Sequence, residues 1–483
     1  MDRLTTHPTP YDLVVTDARI VTPHGVRPGH LAVADGRIAR ILPSGETPPP
    51  ARRTLRARGL HLLPGVIDSH VHFRTPGLTH KEDWAHGSRA AAAGGVTTVI
   101  DMPNTRPALH TVERAHQKAE LIEGTSLVDF RFHFGVSPHT VETIRDLSPR
   151  VATSVKVFMT GHHTAPDVIH DPKVLARVFA VAAETGIRLV LHAEDDGVFA
   201  LLDRRQGTPR HYDQYERTRP RSGGIVAVTK IIELVRRYGT AAHVLHVSSA
   251  EEADLLAAAR HIGLPITYET TPHHLSFTAA DTHRLGARIR LSPAIRHSDD
   301  QQRLWDALIG GEISTLGSDH APHTIEEKSR PAPDAPPGLP GVQELLTAVF
   351  TGLRRRFPHT SVDDSLTLLA RVCSAEPARL FGLNQQKGSL TEGLDADLVL
   401  FDPEATWLMS ARHAHTKNHW SAYEGWTFTG RPTTTIRRGE IIWDGTSFGP
   451  AGGVWLDARN PLATEEPATP HHPRATREPA AAP

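Results

Sequence analysis

Eight short apolar runs, separated by helix-like stretches, constrain this chain more than any other feature. They are VIDSHVHF (66–73), TTVIDMP (97–103), FRFHFG (130–135), SVKVFM (154–159), RLVLHAE (188–194), HVLHVSS (243–249), ITYETTP (266–272) and TLGSDHAP (315–322). Between them lie segments such as WAHGSRAAAAG, KVLARVFAVAAETG and EEADLLAAARHIG. Apolar strands alternating with helices imply parallel βα units. Eight strands with eight crossovers predict an α/β fold, a (β/α)8 TIM barrel in preference to a doubly wound sheet. The third strand and its helix are the least periodic.

The texture differs at both ends. YDLVVTDARIVTPHGVRPGHLAVADGRIARI near the start, and KGSLTEGLDADLVLFDP with TTTIRRGEIIWDG near the end, read as short strands broken by Gly, Pro and Asp turns. They predict one small β-sandwich domain built from both termini, residues 1–63 and 388–450, around a barrel of residues 64–387. From residue 451 the chain turns Pro-, Ala- and Thr-rich, so 451–483 is expected to be a disordered tail, and deleting 455–483 is expected to leave turnover and melting temperature nearly unchanged. A formal net charge of −1, with both signs interspersed, excludes a nucleic-acid or polyanion surface. A single cysteine, Cys373, excludes a disulfide framework and any multi-cysteine metal site, and its aliphatic setting reads as buried packing. No signal-peptide core or membrane-length apolar run is visible, so a cytoplasmic protein without a membrane partner is expected.

The polar residues inside those apolar strands carry the function. His70 and His72 stand one residue apart near the end of the first strand, and Arg74 follows on the same face. An isolated pair of this kind reads equally well as surface histidines. Here, however, Lys156 interrupts the fourth strand, His192 and His246 sit near the ends of the fifth and sixth, and Asp319 ends the eighth. In a barrel the C-terminal strand ends form the active-site mouth, so four imidazoles, a carboxylate and a lysine converge. Imidazole and carboxylate donors suit zinc or a similar divalent ion with an open position for water. A lysine buried beside metal cations should lose its proton, and its free amine can add carbon dioxide to give a bridging carbamate.

HVHFRTPG, DMPNT (101–105), the lysine strand, LHAE, HVLHVSS, TPHHL and above all SDHAPHTIEEK resemble the cyclic amidohydrolases of the amidohydrolase superfamily, and among them the class I dihydroorotases. The likeness runs to about residue 447. It implies His70, His72 and Asp319 on one metal, His192 and His246 on the other, and carboxylated Lys156 between them. One or two Zn2+ per chain are implied, two expected. The resemblance further implies reversible hydrolysis of dihydroorotate to N-carbamoyl-L-aspartate, a step of pyrimidine biosynthesis. A metal-bridging hydroxide would attack, with Asp319 as general base and then acid.

For the substrate, the likeness implies that Arg74 and His323 grip a carboxylate, that Asn104 bonds the ring or that carboxylate, and that backbone groups of the loop PPGLPG (336–341), including Pro337 and Gly338, contact the ring amide. Hydantoinases and dihydropyrimidinases generally lack that arginine, and allantoinases tend to carry asparagine there. One departure stands out. The chain reads LSPAIR where dihydroorotases read N-P-P-L-R, so Ser292 occupies an asparagine position and is more like hydantoinases. His273 and His274 are expected to pack beneath the mouth, and Glu326, Glu327 and Lys328 to form a solvated helix start. The alternatives are another cyclic amidohydrolase (hydantoinase or dihydropyrimidinase, allantoinase, imidase) or an inactive scaffold supporting a carbamoyltransferase. A homo-oligomer, dimer or tetramer, acting on a small molecule is expected.

Overall fold

The structure is a computed structural model that describes residues 10–458, except 162, 163, 165, 166, 207, 208 and 333. Eight parallel strand positions form a barrel: Val66–Val71, Val96–Asp101, Asp129–Phe132 with Phe134–Gly135, Ser154–Phe158, Arg188–His192, Ala242–Val244, Ile266–Thr270 and Thr315–Leu316. The ring closes where the His72 amide donates to the His320 carbonyl at 2.8 Å. Local chemistry sets the crossovers. Asp83 caps Trp84–Ala93, Asp171 with Pro172 opens Pro172–Thr185, and Ser249 with Glu252 forms a capping box on Ala250–His261. The weakly periodic third unit has a physical basis. His133 splits its strand, bonding Ser69 O and Ser154 Oγ with its ring, and a 3-10 turn, Val141–Asp146, replaces a full helix.

The small domain, expected as a sandwich, is one continuous eight-stranded sheet holding strands from both termini. It curls until Arg37 at one edge bridges Asp395, so Leu31, Val33 and Ile38 share a core with Leu398, Leu400 and Ile436. Its strand His61–Pro64 enters the first barrel strand through Gly65 alone, where a Cβ would lie 2.2 Å from Thr97 Oγ1. Lys387, buried between Asp129, Asp395 and Asp397, ties the two parts together.

The tail boundary needs correction. Residues 451–458 lie against the barrel, while 459–483 fall outside the described residues. Because the third strand is split, the outer edge of Asp129–Phe132 is left open, and residues 454–456 fill it. Phe130 N donates to Val454 O and Leu456 N to Phe130 O, both at 3.0 Å. Trp455 packs on Phe132 and His116, and Leu456 and Ala458 join a cluster with Ile67 and Leu383. Composition misses this because the docking is mostly main-chain pairing with three apolar side chains. Deleting 452–483 should therefore lower the melting temperature by several degrees, since burying Leu456 alone contributes roughly 1.5–3 kcal/mol and the freed edge has no partner. An unchanged melting curve would show that the segment contributes nothing.

Candidate metal centre

The strand ends aim six polar side chains at the barrel axis. Each of His70, His72, Lys156, His192, His246 and Asp319 is at most 8 % exposed. The backbone is forced to do this. Arg74, His246 and Asp319 hold positive φ of 61°, 37° and 45°, a region disfavoured for side chains with a Cβ and retained mostly where function requires it.

The donor atoms fall into two groups. His70 Nε2 and His72 Nε2 lie 3.2 and 3.3 Å from Asp319 Oδ1. His192 Nδ1 lies 3.0 Å from His246 Nε2. One nitrogen or oxygen each of His70, His246 and Asp319 falls within a 4.8 Å cluster, so the two groups adjoin. The opposite ring nitrogens are engaged elsewhere. His70 Nδ1 is 2.7 Å from Glu269 Oε1, His72 Nδ1 2.7 Å from Asn104 Oδ1, and His192 Nε2 2.9 Å from Glu194 Oε2. Each acceptor fixes a tautomer whose lone pair faces the centre. Burial also pushes the His70, His72 and His246 imidazoles well below their ordinary range, into the neutral form that ligates.

These residues fit a divalent metal pair. His70 Nε2 is wholly buried without a hydrogen-bond partner among the described residues, an orphan lone pair that a cation at that place would satisfy. Lys156, the middle residue of its strand, has its Nζ 4.5 Å from the Phe158 ring centroid, and desolvation lowers it to about 7. Beside it, a narrow cleft with a volume of about 10 Å³ is lined by Asn104, His110, Gly135, Lys156 and Phe158.

Known proteins bear on this geometry. The family description "Amidohydrolase family" matches residues 61–442. The chain belongs to that family. It is 36 % identical over 459 residues to the allantoinase of Streptomyces avermitilis, covering 94 % of this chain and 99 % of the relative. It is 32 % identical over 464 residues to the dihydroorotase of Methanosarcina acetivorans, covering 94 % and 97 %. The solved L-hydantoinase (dihydropyrimidinase) from Arthrobacter aurescens superposes with a TM-score of 0.85 at 28 % identity, covering 93 % and 98 %. The chain is a metal-dependent cyclic amidohydrolase with that family's barrel and small sheet domain. Among the described residues, no helix is long and apolar enough to cross a membrane.

The substrate contacts expected around this amidohydrolase centre are placed less simply. Arg74 is 1 % exposed, and its Nε, Nη1 and Nη2 are all buried without a hydrogen-bond partner among the described residues. Desolvation lowers it to about 10, so it stays a cation at neutral pH. Asn104 accepts from His72 through Oδ1 and donates one amide hydrogen to Thr164 at 2.9 Å. His323 likewise engages both ring nitrogens, Nδ1 with Lys81 Nζ at 3.0 Å and Nε2 with the Pro337 carbonyl at 3.1 Å. Ser292 Oγ meets Tyr215 Oη at 3.0 Å. Gly338, at φ 123°, gives its carbonyl to Lys328 Nζ at 2.7 Å.

Lys328 corrects the expectation of a solvated helix start. Thr324 does cap Ile325–Lys328, but Lys328 is buried and pins the Pro336 and Gly338 carbonyls. His273 and His274 pack inward, bonded to Tyr423 and to Thr271. Glu269, Glu194 and Lys81 are the functional neighbours that sequence reasoning passes over. Glu269 carries the same signal that exposes Lys156, a lone charged residue in a buried strand.

Proposed function

We propose that this enzyme interconverts dihydroorotate and N-carbamoyl-L-aspartate. The observation that carries the reading is the Arg74 guanidinium, buried at the strand ends with three unpartnered nitrogens. Asp319, Asp101, Glu327 and Glu82 act on this cation through space without hydrogen-bonding it, and a substrate carboxylate, held by two parallel hydrogen bonds, would satisfy its donors. The dihydroorotase relatives support the same substrate.

In this reading His70 and His72, through Nε2, and Asp319 would hold one metal, and His192 Nδ1 and His246 Nε2 would hold the second, with Lys156 as its carbamate a further ligand. When bound, such metals, zinc by donor type, supply a Lewis acid for the ring carbonyl and acidify a water. Asp319 takes the proton of the attacking water and delivers it to the departing ring nitrogen. Glu269, Asn104 and Glu194 keep the imidazoles in the ligating tautomer. Arg74 orients the ring through its carboxylate.

A second reading, a neutral ring such as allantoin or a hydantoin, is favoured by the 36 % identical allantoinase and by Ser292. A substrate panel separates them. Purified enzyme should show kcat/KM for dihydroorotate at least tenfold above those for allantoin, hydantoin and dihydrouracil. Preference for any of the three neutral rings would overturn the assignment.

A further inference from the structure

A buried carboxylate in the middle of a barrel needs a reason. Glu269, on the seventh strand, is 0 % exposed, and its Oε2 has no hydrogen-bond partner among the described residues. Taking such a group out of water is costly, and an apolar residue of similar volume would pack the strand better. Its Oε1 has two contacts, and they lead to different halves of the centre. It receives His70 Nδ1 at 2.7 Å and the His246 backbone N–H at 3.4 Å. The sequence also leaves room for it. A Cβ on Gly317, two residues before Asp319, would lie 2.3 Å from Glu269 Oε2 and 2.8 Å from His70 Cβ.

We propose that Glu269 is a positioning residue that sets the tautomer and aim of His70 and ties the His70 half of the metal centre to the His246 half, with Gly317 kept bare to admit it. The imidazole cannot turn over without giving up a short hydrogen bond to a carboxylate, so Nε2 stays aimed at Asp319. Because the same oxygen also receives the His246 amide, a shift of one half is passed to the other. Gly317 lies two residues before Asp319, so the stretch of chain that packs against this carboxylate also carries Asp319. The proposal rests on the metal-centre reading but not on which ring is hydrolysed.

The test measures zinc affinity of the full chain by chelator competition, alongside the melting temperature of metal-free protein. Removal of such an acceptor typically weakens metal binding ten- to a hundredfold. Glu269→Ala is expected to fall in that range, and Gly317→Ala in the same direction, while metal-free Glu269→Ala melts at or above wild type. Glu269→Gln, which keeps an acceptor for Nδ1–H, should lose less than tenfold and so rescue most of the effect. Unchanged zinc affinity in Glu269→Ala overturns the proposal. So does a loss in Glu269→Gln as large as in Glu269→Ala, because charge and not aim would then be what matters. Should Glu269→Ala fail to fold, Gly317→Ala and Glu269→Gln decide the matter by the same readouts. Wild type that binds no zinc would instead sink the metal-centre reading itself.

Discussion

Lys156→Ala should lose at least a thousandfold in turnover and most of its bound metal, and short carboxylic acids should restore part of both. The magnitude follows from what the residue is asked to supply. Metal polarisation of a carbonyl contributes several kcal/mol, and each ~1.4 kcal/mol is tenfold in rate. Lys156 sits in a strand where every residue is buried, and its amine is lowered to about 7 by desolvation against the pull of Asp319 and Glu269. A neutral amine is therefore available near physiological pH, and that is the form that reacts with carbon dioxide. Once carboxylated it is an anion with two oxygens, and a free carboxylic acid can stand in its place when the side chain is cut back. Lys156→Met, which keeps the volume and packing over Phe158, separates the two roles. It should fold as well as wild type and still lose turnover. Elemental analysis should find close to two equivalents of zinc in wild type and less than one in Lys156→Ala. Near-normal turnover and metal content in Lys156→Met would make Lys156 a packing residue.

What could be read from the chain and what could not divides along a physical line. The barrel strands were legible because burial on both faces makes them continuously apolar, and the same background exposes His70, Lys156, His192 and His246 as interruptions. Asp319 is legible because it lies within the eighth such run, TLGSDHAP. Roles that depend on a partner far along the chain were not. His72 lies 32 residues from the Asn104 oxygen that receives its Nδ1, and His323 lies 242 from Lys81. No local pattern states which atom faces which, so motif position gives no sign that Asn104 meets His72 and Thr164 or that His323 meets Lys81. Lys328 misleads for the opposite reason. Its neighbours Glu326 and Glu327 give a solvated texture, yet the next loop folds its carbonyls over the ammonium. The docking of residues 451–458 is a main-chain event at a strand edge, and composition has no access to main-chain pairing. Glu269 is the instructive miss. It stood in plain view in ITYETTP, but a carboxylate there forms no motif until His70 is seen 2.7 Å away.

Arg74→Ala should lower kcat/KM for dihydroorotate ten- to a hundredfold while leaving any turnover of dihydrouracil nearly unchanged. Losing a charge-assisted hydrogen bond in a desolvated site costs about 1.5–3 kcal/mol, which converts to that range. The neutral ring has no carboxylate to lose, so the two substrates part only if Arg74 reads charge. A second measurement on the same variant makes the inference independent of turnover. In the free enzyme the guanidinium is buried with none of its nitrogens hydrogen-bonded among the described residues, and desolvation has pulled it down to about 10. That buried charge opposes folding, so substrate-free Arg74→Ala should melt no lower than wild type. Residues kept for packing behave the other way, losing stability on truncation and leaving substrate preference alone. A variant that melts several degrees lower, with dihydroorotate and dihydrouracil affected alike, would assign Arg74 to the scaffold and move the enzyme to the neutral-ring side of its family. Stability retained with loss of one substrate class is the pattern of a site built to be completed by an anion.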